Sequence, residues 1–159
     1  AALIGYTNAG KTLLFNKLTK KKQSTRARLF ETLDTKISRV YLGKNKYIGL
    51  IDTVGFINNI PTSLIESFKA TLEEVNQADL LLNVVDINDI NVNDKINITK
   101  NILIDTGIHH EKIASMITVY NKIDINGIDS LSQYKKNYIS ALTGRGLTDL
   151  KNALRNSFI

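Results

Sequence analysis

Short apolar runs and longer amphipathic stretches alternate along the chain. The apolar runs predict β-strands at residues 1–5, 37–42, 47–51, 80–85, 113–120 and 138–139. Apolar residues at helical spacing predict helices at residues 11–19, 62–76, 96–104 and 147–158. The stretch from residue 20 to about residue 35 is polar and has no periodicity, which predicts a mobile loop.

The order of these elements predicts an α/β fold. Strands that alternate with helices form an open, mostly parallel sheet with helices on both faces. The turn sequence Gly43-Lys44-Asn45-Lys46 separates two of the apolar runs and predicts one antiparallel hairpin. We therefore expect a three-layer α/β domain with a sheet of about six strands. In such sheets ligands bind at the carboxyl ends of the strands.

Composition narrows the class of protein. The chain has 159 residues, one proline and no linker-like segment, which predicts a single domain over residues 1–159. Because it opens on what resembles a strand already under way, we expect it to be part of a longer protein. The absence of cysteine excludes a disulfide scaffold and Cys-based zinc sites, and it fits a cytoplasmic location. No apolar run is long enough for a membrane span.

The net charge of +6 has two interpretations. It either marks a nucleic-acid partner or reflects a Lys- and Asn-rich composition without meaning for partners. The same alternatives hold for the basic segment formed by Lys20-Lys21-Lys22, Arg26 and Arg28. This segment either contacts RNA phosphates or is a solvated loop. His109-His110 has no further ligands nearby in the sequence, so a surface turn is favoured over a metal site.

A phosphate-binding motif lies between the first strand and the first helix. The pattern G-x-x-x-x-G-K-[ST] occurs as Gly5-Tyr6-Thr7-Asn8-Ala9-Gly10-Lys11-Thr12. Its glycines allow successive main-chain N–H groups to point at phosphates, and the helix N-terminus adds positive charge. Lys11 would reach the β- and γ-phosphates, and the Thr12 hydroxyl would bind Mg²⁺. The flanking strand and helix disfavour a chance match.

A second motif, Asp52-Thr53-Val54-Gly55, follows the strand at 47–51. Its carboxylate would hold Mg²⁺ through water, and the Gly55 N–H would contact the γ-phosphate. Alone the pattern is weak, since Asp and Gly are common in turns. Its position behind a hairpin, about 40 residues after Lys11, strengthens it.

Two further motifs predict recognition of a purine. Asn121-Lys122-Ile123-Asp124 follows a predicted strand, and Asp124 would accept two hydrogen bonds that guanine donates and adenine does not. Lys122 would pack on the base, and Asn121 would brace the phosphate-binding loop. In Ser140-Ala141-Leu142 the Ala141 N–H would meet the guanine carbonyl. A solvated turn is the alternative, disfavoured by the motifs upstream. Together the four motifs predict the G domain of a P-loop NTPase.

Several long stretches resemble one family of G proteins, the HflX family of ribosome-associated GTPases. They are GYTNAGKTLLFN at 5–16, FETLD at 30–34, DTVGFI at 52–57 followed by Pro61, SFKATLEEVNQADLLL at 67–82 and SALTGRGL at 140–147. The resemblance implies GTP binding and hydrolysis with Mg²⁺, in a monomeric G domain. It also implies binding to the large ribosomal subunit and ribosome splitting that depends on a preceding N-terminal domain. We therefore expect only weak ribosome engagement from this chain.

The resemblance assigns switch I to Phe30-Glu31-Thr32-Leu33-Asp34, with Thr32 as a direct Mg²⁺ ligand. Two positions depart from the family pattern, because Glu31 stands where Ala is usual and Thr35 where Pro is usual. Thr35 is a rival hydroxyl for the same metal.

Two residues leave the mechanism open. Many GTPases carry a water-orienting Gln where this chain has Phe56, which predicts slow hydrolysis whether or not Phe56 also packs in the core. Similarity to cation-activated GTPases suggests that Asn8 helps to bind K⁺, with tolerance of a left-handed turn as the alternative. A G domain of the Obg, Era or TrmE kind and a binding switch with negligible hydrolysis are the rival hypotheses.

Overall fold

The computed structural model describes residues 1–20, 36–56, 72–125 and 137–158 of the chain. Its strands are β1 (Ala2–Ile4), β2 (Lys36–Gly43), β3 (Lys46–Asp52), β4 (Leu81–Asp86) and β5 (Ile117–Asn121). Its helices are α1 (Lys11–Thr19), α2 (helical residues 72–77), α3 (Val92–Asp105), α4 (His110–Ala114) and α5 (Leu147–Ser157).

The five strands form one mixed sheet in the order β2-β3-β1-β4-β5. β1 pairs in parallel with β3 and β4, and β4 pairs in parallel with β5, whereas β2 is antiparallel to β3. The predicted hairpin is therefore confirmed. Because parallel strands point the same way, the carboxyl ends of β1, β3, β4 and β5 lie at one edge, where the predicted motifs begin.

Helices cover both faces of the sheet, as the alternating pattern predicts. Successive strand residues point to opposite faces, so Leu82 packs in one core with Leu150 of α5, and Leu81 packs in the other with Leu103 of α3. All four side chains are completely buried. The rigid sheet between these two cores fixes the positions of the loops at its carboxyl edge.

The predicted strand at 113–120 is wrong in its first half. Residues 110–114 form α4, and the strand begins only at Ile117. Ile113 is buried from a helix rather than from a strand, so one apolar run covers two elements. The helix predicted at 96–104 starts earlier, at Val92, where the Val92 N–H donates to the Asp89 carbonyl at 3.1 Å.

The expected count of about six strands is reduced to five in the part of the chain that the structure describes. The predicted strand at 138–139 forms a single parallel bridge between Tyr138 and Tyr120. The Ile139 N–H donates to the Tyr120 carbonyl at 2.8 Å, so this segment still continues the sheet edge beside β5.

Two predicted segments lie partly outside the described residues. They are the loop after residue 20 and the first part of the helix at 62–76, which the structure describes from residue 72 onward. Among the described helices, none combines the length and the apolar character that a membrane crossing needs.

Candidate functional site

A tight loop between β1 and α1 carries the predicted phosphate-binding motif. Gly5 and Gly10 have φ angles of 129° and 95°, a region that side chains rarely adopt. A Cβ atom at Gly5 would lie 2.3 Å from the Val84 carbonyl oxygen, and one at Gly10 would lie 2.4 Å from Asn121 Nδ2. Both positions require glycine because the loop is folded closely against β4 and β5.

The Lys11 ammonium lies inside this loop. Lys11 opens α1 and is 6% exposed, and the neighbouring Thr12 is also buried. Lys11 Nζ donates to the carbonyl oxygens of Gly5 at 3.0 Å and Tyr6 at 2.8 Å. A buried cation at the N-terminus of a helix provides a strong attraction for an anion.

The segment after β3 runs alongside the loop. Asp52 ends β3 with its side chain completely buried, and the buried Thr53 hydroxyl donates to a β1 carbonyl. At Gly55 a Cβ atom would lie 2.9 Å from both Lys11 Nζ and Thr7 Cα. The main chain of this second motif therefore passes directly over the Lys11 ammonium, and only glycine leaves room for that approach.

Phe56 ties the two loops together through its main chain. Its N–H donates to the Gly5 carbonyl at 3.0 Å, and its carbonyl accepts the Thr7 N–H at 3.1 Å. Phe56 also forms a parallel bridge with Tyr6. The Phe56 ring is fully buried in the core on the α2 and α3 side of the sheet. Phe56 is therefore a packing residue.

Asn121 joins three of the predicted motifs. The residue is 1% exposed, its Nδ2 donates to the Ala9 carbonyl at 2.9 Å, and its Oδ1 accepts the Ala141 N–H at 2.9 Å. The predicted brace on the phosphate-binding loop is thus present. The Ala141 N–H, which we expect to face a guanine carbonyl, donates to Asn121 in this structure. Of its neighbours, Ser140 is buried and Leu142 is 61% exposed.

The Asp124 carboxylate has an unsatisfied oxygen. Its Oδ1 is inaccessible to solvent and accepts no hydrogen bond from the described parts of the chain. The loop that carries it is anchored by Ile123, which is fully buried and whose N–H donates to the Ile139 carbonyl at 3.2 Å. A buried carboxylate oxygen without a donor is costly unless a ligand supplies one.

The Lys122 side chain is held from the end of β4. Its Nζ lies 2.7 Å from Asp86 Oδ2, and its own carbonyl accepts Asn88 Nδ2 at 2.9 Å. Asn88 also donates its N–H and its Nδ2 to Asp86 Oδ1, at 3.0 Å and 3.1 Å. These contacts fix Lys122 in a left-handed conformation, with a φ angle of 69°. Asp86 and Asn88 thereby position the predicted base-recognition motif.

The ionised form of Asp86 is favoured by these contacts. Burial raises the pKa of the Asp86 carboxyl, but the hydrogen bonds from Lys122 and Asn88 outweigh burial, and the pKa lies below its usual value. The ion pair therefore persists at neutral pH. Because the pKa is lowered on folding, its contribution is present above the usual pKa of an aspartate and is lost only as the pH falls through the lowered value.

Comparison with known proteins places this site in a family. The sequence profile of the family described as "50S ribosome-binding GTPase" matches residues 1–122. The chain belongs to this GTPase family, as an HflX-type G domain. It is 41% identical over 153 residues to GTPase HflX of Caldanaerobacter subterraneus subsp. tengcongensis, and 39% identical over 160 residues to GTPase HflX of Escherichia coli. Each alignment spans 96% of this chain, and 35% and 37% of those relatives.

A solved structure supports the same fold for this HflX-type domain. A GTP-binding protein from the hyperthermophilic archaeon Sulfolobus solfataricus, in complex with GDP, superimposes with a TM-score of 0.72 and 27% identity. The match covers 98% of this chain and 51% of that protein. The α/β G-domain architecture is thereby confirmed.

The structure brings most of the predicted site residues of the HflX-type domain to one edge of the sheet. The phosphate-binding loop, the segment after β3, the loop after β5 and Ser140–Ala141 all meet there. The predicted switch I lies outside the described residues, and so do Arg26 and Arg28. Its residues are Phe30, Glu31, Thr32, Leu33 and Asp34, with the rival Thr35. The sequence reasoning missed Asp86 and Asn88. The one signal in the sequence that could have identified Asp86 is its position as an acidic residue at the carboxyl end of a buried strand.

Replacing Asp86 with asparagine should speed the release of guanine nucleotide. The variant removes the charge that holds Lys122, and a partly exposed ion pair of this kind contributes about 1 kcal/mol. We therefore expect GDP to dissociate about fivefold faster, as measured by displacement of a fluorescent GDP analogue in stopped flow.

The matched control is Asp105→Asn, which makes the same substitution at the exposed last residue of α3. An equal effect of the two substitutions, or none for Asp86→Asn, would show that the Asp86–Lys122 contact does not position the site.

Proposed function

We propose that this domain binds GTP and transfers its γ-phosphoryl group to water, as part of a ribosome-associated GTPase. The observation that carries the proposal is the bridge formed by Asn121. Its side chain connects the Ala9 carbonyl of the phosphate-binding loop to the Ala141 segment, and the loop after Asn121 carries Asp124, whose Oδ1 has no partner among the described residues. A phosphate site and a purine-selective carboxylate are thereby held at a fixed separation.

The phosphate end of the site is supplied mainly by the loop at residues 5–12. We infer that the Lys11 ammonium, which now contacts two loop carbonyls, neutralises charge on the β- and γ-phosphates. We assign main-chain N–H groups of the loop and of Gly55 to the same phosphates. Catalysis in this class depends on positioning and charge stabilisation rather than on a protein nucleophile. Lys11, Thr32 and Gly55 are the residues to which we assign it.

The base end of the site depends on Asp124. Its Oδ1 lacks a donor among the residues that the structure describes, and guanine offers two donors, its ring N–H and its exocyclic amine. Adenine offers no matching pair, so bound ATP would leave the carboxylate unsatisfied. Lys122, held by Asp86, supplies an aliphatic stem beside the base.

The donor set also fits Mg²⁺. Magnesium in nucleotide sites takes oxygen ligands from one or two side chains together with phosphate oxygens. The buried Thr12 hydroxyl and the buried Asp52 carboxylate, the latter through water, would supply the side-chain oxygens. Thr32 of switch I is the third assigned ligand. Bound Mg²⁺ would neutralise charge that develops on the phosphates.

Hydrolysis by the isolated domain is expected to be slow. The Phe56 side chain has no conventional hydrogen-bond donor or acceptor with which to orient the attacking water, and its ring is buried in the core. We expect turnover on the order of 10⁻³ s⁻¹ or below, the range of GTPases that lack their activating partner. The large ribosomal subunit should raise it. A phosphate-release assay with GTP, with and without 50S subunits, measures both.

The result of that assay separates two functions. Phosphate release above the background of a Lys11→Ala variant supports the enzyme. No release with or without subunits would instead favour the alternative suggested by Phe56, a nucleotide-dependent binding switch with negligible hydrolysis.

Activation by K⁺ is a finer prediction that depends on Asn8. The residue is exposed at the mouth of the loop with a φ angle of 62°, so its left-handed conformation already accounts for an asparagine there. If its side chain also helps to bind K⁺, hydrolysis will be faster in KCl than in NaCl, and Asn8→Ala will remove the difference. Equal rates in the two salts would end the K⁺ hypothesis.

The whole protein's role is proposed from its relatives. The chain spans about a third of the length of the HflX proteins that it matches, so we propose residues 1–159 as their G-domain unit. We expect the domain to be monomeric, cytoplasmic and only weakly attached to the large subunit. Pelleting with 50S subunits in the presence of GDP or a GTP analogue tests that association.

A further inference from the structure

The outward face of the β2–β3 hairpin carries large side chains that the fold leaves uncovered. Ile37, Tyr41 and Tyr47 are 60%, 48% and 55% exposed, whereas the alternate residues Val40 and Leu50 are buried in the core. Tyr41 and Tyr47 are direct partners across the two strands, so their rings share this face. Exposed aromatic rings that lie side by side on a sheet are costly in water and commonly mark a contact surface.

The two rings are held in a defined arrangement. Their centroids lie 5.0 Å apart with an interplanar angle of 45°, and the Arg39 guanidinium lies 4.7 Å from the centre of the Tyr47 ring. Cross-strand pairing and the cation–π contact limit the rotamers available to all three side chains. A partner that stacks on them therefore meets a surface that is already ordered.

The same hairpin is strongly basic. From Lys36 to Ile51 the sequence contains Lys36, Arg39, Lys44 and Lys46 but no Asp or Glu. Lys44 has a φ angle of 50° and the following asparagine 57°, values typical of the tight type I′ turn that presents Lys44 and Lys46 at the hairpin tip. Within the described ranges, no carboxylate pairs with Arg39, Lys44 or Lys46.

We propose that Arg39, Tyr41 and Tyr47 on this face, together with Lys44 and Lys46 at the hairpin tip, bind unpaired RNA. Nucleobases would stack on the two tyrosine rings while the three cations contact phosphates, the combination that single-strand binding surfaces use. A second copy of the chain is disfavoured, because two such faces would bring only positive charges together. The choice of RNA rests on the proposed ribosomal association, whereas the surface itself is independent of GTP.

Binding of a fluorescein-labelled single-stranded RNA of 12 nucleotides, followed by anisotropy without added nucleotide, tests this proposal. Tyr41→Ala with Tyr47→Ala should weaken binding by at least about fivefold for each ring removed, whereas Tyr41→Phe with Tyr47→Phe keeps the rings and should retain it. Lys44→Glu with Lys46→Glu should weaken binding. The slope of the logarithm of the binding constant against the logarithm of the salt concentration should become less negative by about 1.4, because two phosphate contacts are lost.

The matched charge control is Lys17→Glu with Lys100→Glu, which makes the same change on exposed residues of α1 and α3. The RNA affinity of this variant should stay within about twofold of that of the parent chain, since losing a stacked base would weaken binding by more than that. GDP binding by every variant reports whether the domain is folded. RNA affinity that is equal in the alanine variant and the parent chain would overturn the proposal.

Two further results separate this proposal from others. If all hairpin variants pellet with 50S subunits as the parent does and also keep their RNA affinity, the ribosomal association stands and the hairpin proposal fails. If the hairpin binds RNA but the chain does not pellet, the ribosomal association fails alone. A dimer in sedimentation velocity that is lost on Tyr41→Ala with Tyr47→Ala would identify a second copy as the occupant and overturn the RNA proposal.

Discussion

Replacing Lys11 with alanine is expected to lower the affinity for GTP by roughly 150-fold. The Lys11 ammonium is buried within the loop, and removing one partner of a buried charge contact costs about 3 kcal/mol. The loss should fall more heavily on GTP than on GDP, because Lys11 is assigned to the β- and γ-phosphates. Titration of both nucleotides, each carrying a fluorescent label, measures the two affinities.

Two variants separate this effect from a loss of folding. Lys17→Ala removes an exposed lysine from the same helix and should leave both affinities unchanged. Lys11→Met keeps the aliphatic stem in place, so it should unfold at a temperature close to that of the parent chain while still binding GTP poorly. A Lys11→Ala protein that is folded and binds GTP normally would remove the phosphate site from the proposal.

Replacing Asp124 with asparagine should change which purine the domain prefers. The aspartate is expected to accept two charge-assisted hydrogen bonds from guanine. Asparagine keeps one neutral acceptor and places an N–H group against the exocyclic amine, which corresponds to about 3 kcal/mol or roughly 150-fold in GDP affinity. Xanthine has a carbonyl where guanine has its exocyclic amine, and an asparagine amide can donate to that carbonyl. We therefore expect Asp124→Asn to bind XDP more tightly than GDP, as measured by competition against a fluorescent nucleotide.

Asp124→Ala is the control that distinguishes a change of purine preference from a general loss of nucleotide binding. It removes both acceptors without adding a donor, so GDP affinity should fall while XDP gains nothing. If the asparagine and alanine variants both bind GDP like the parent chain, Asp124 is not the residue that recognises the base.

The phosphate-binding loop could be predicted from the sequence because its constraints are local. Gly5 and Gly10 are required by their own φ angles and by the atoms directly around them, and the strand and helix that flank the loop carry clear apolar patterns. The location of the motifs at one edge of the sheet then follows from the rule that ligands bind at the carboxyl ends of parallel strands.

Features that depend on long-range packing were harder to predict. Ile113 is buried from a helix, but apolarity alone does not distinguish it from the strand residues that follow. Asp86 acquires its role from Lys122, which lies 36 positions further along the chain, and the sequence shows no sign of that pairing. The direction of the Ala141 N–H toward Asn121 is likewise set only when the two loops meet.

Calorimetric titration of the chain with GDP and with ADP, both with Mg²⁺, tests the central claim most directly. The claim is that an amide-lined loop around Lys11 and the Asp124 carboxylate together form one guanine-nucleotide site. It predicts saturable binding of one GDP per chain, with ADP bound at least about a thousandfold more weakly. Binding of ADP as tightly as GDP, or binding of neither, would contradict it.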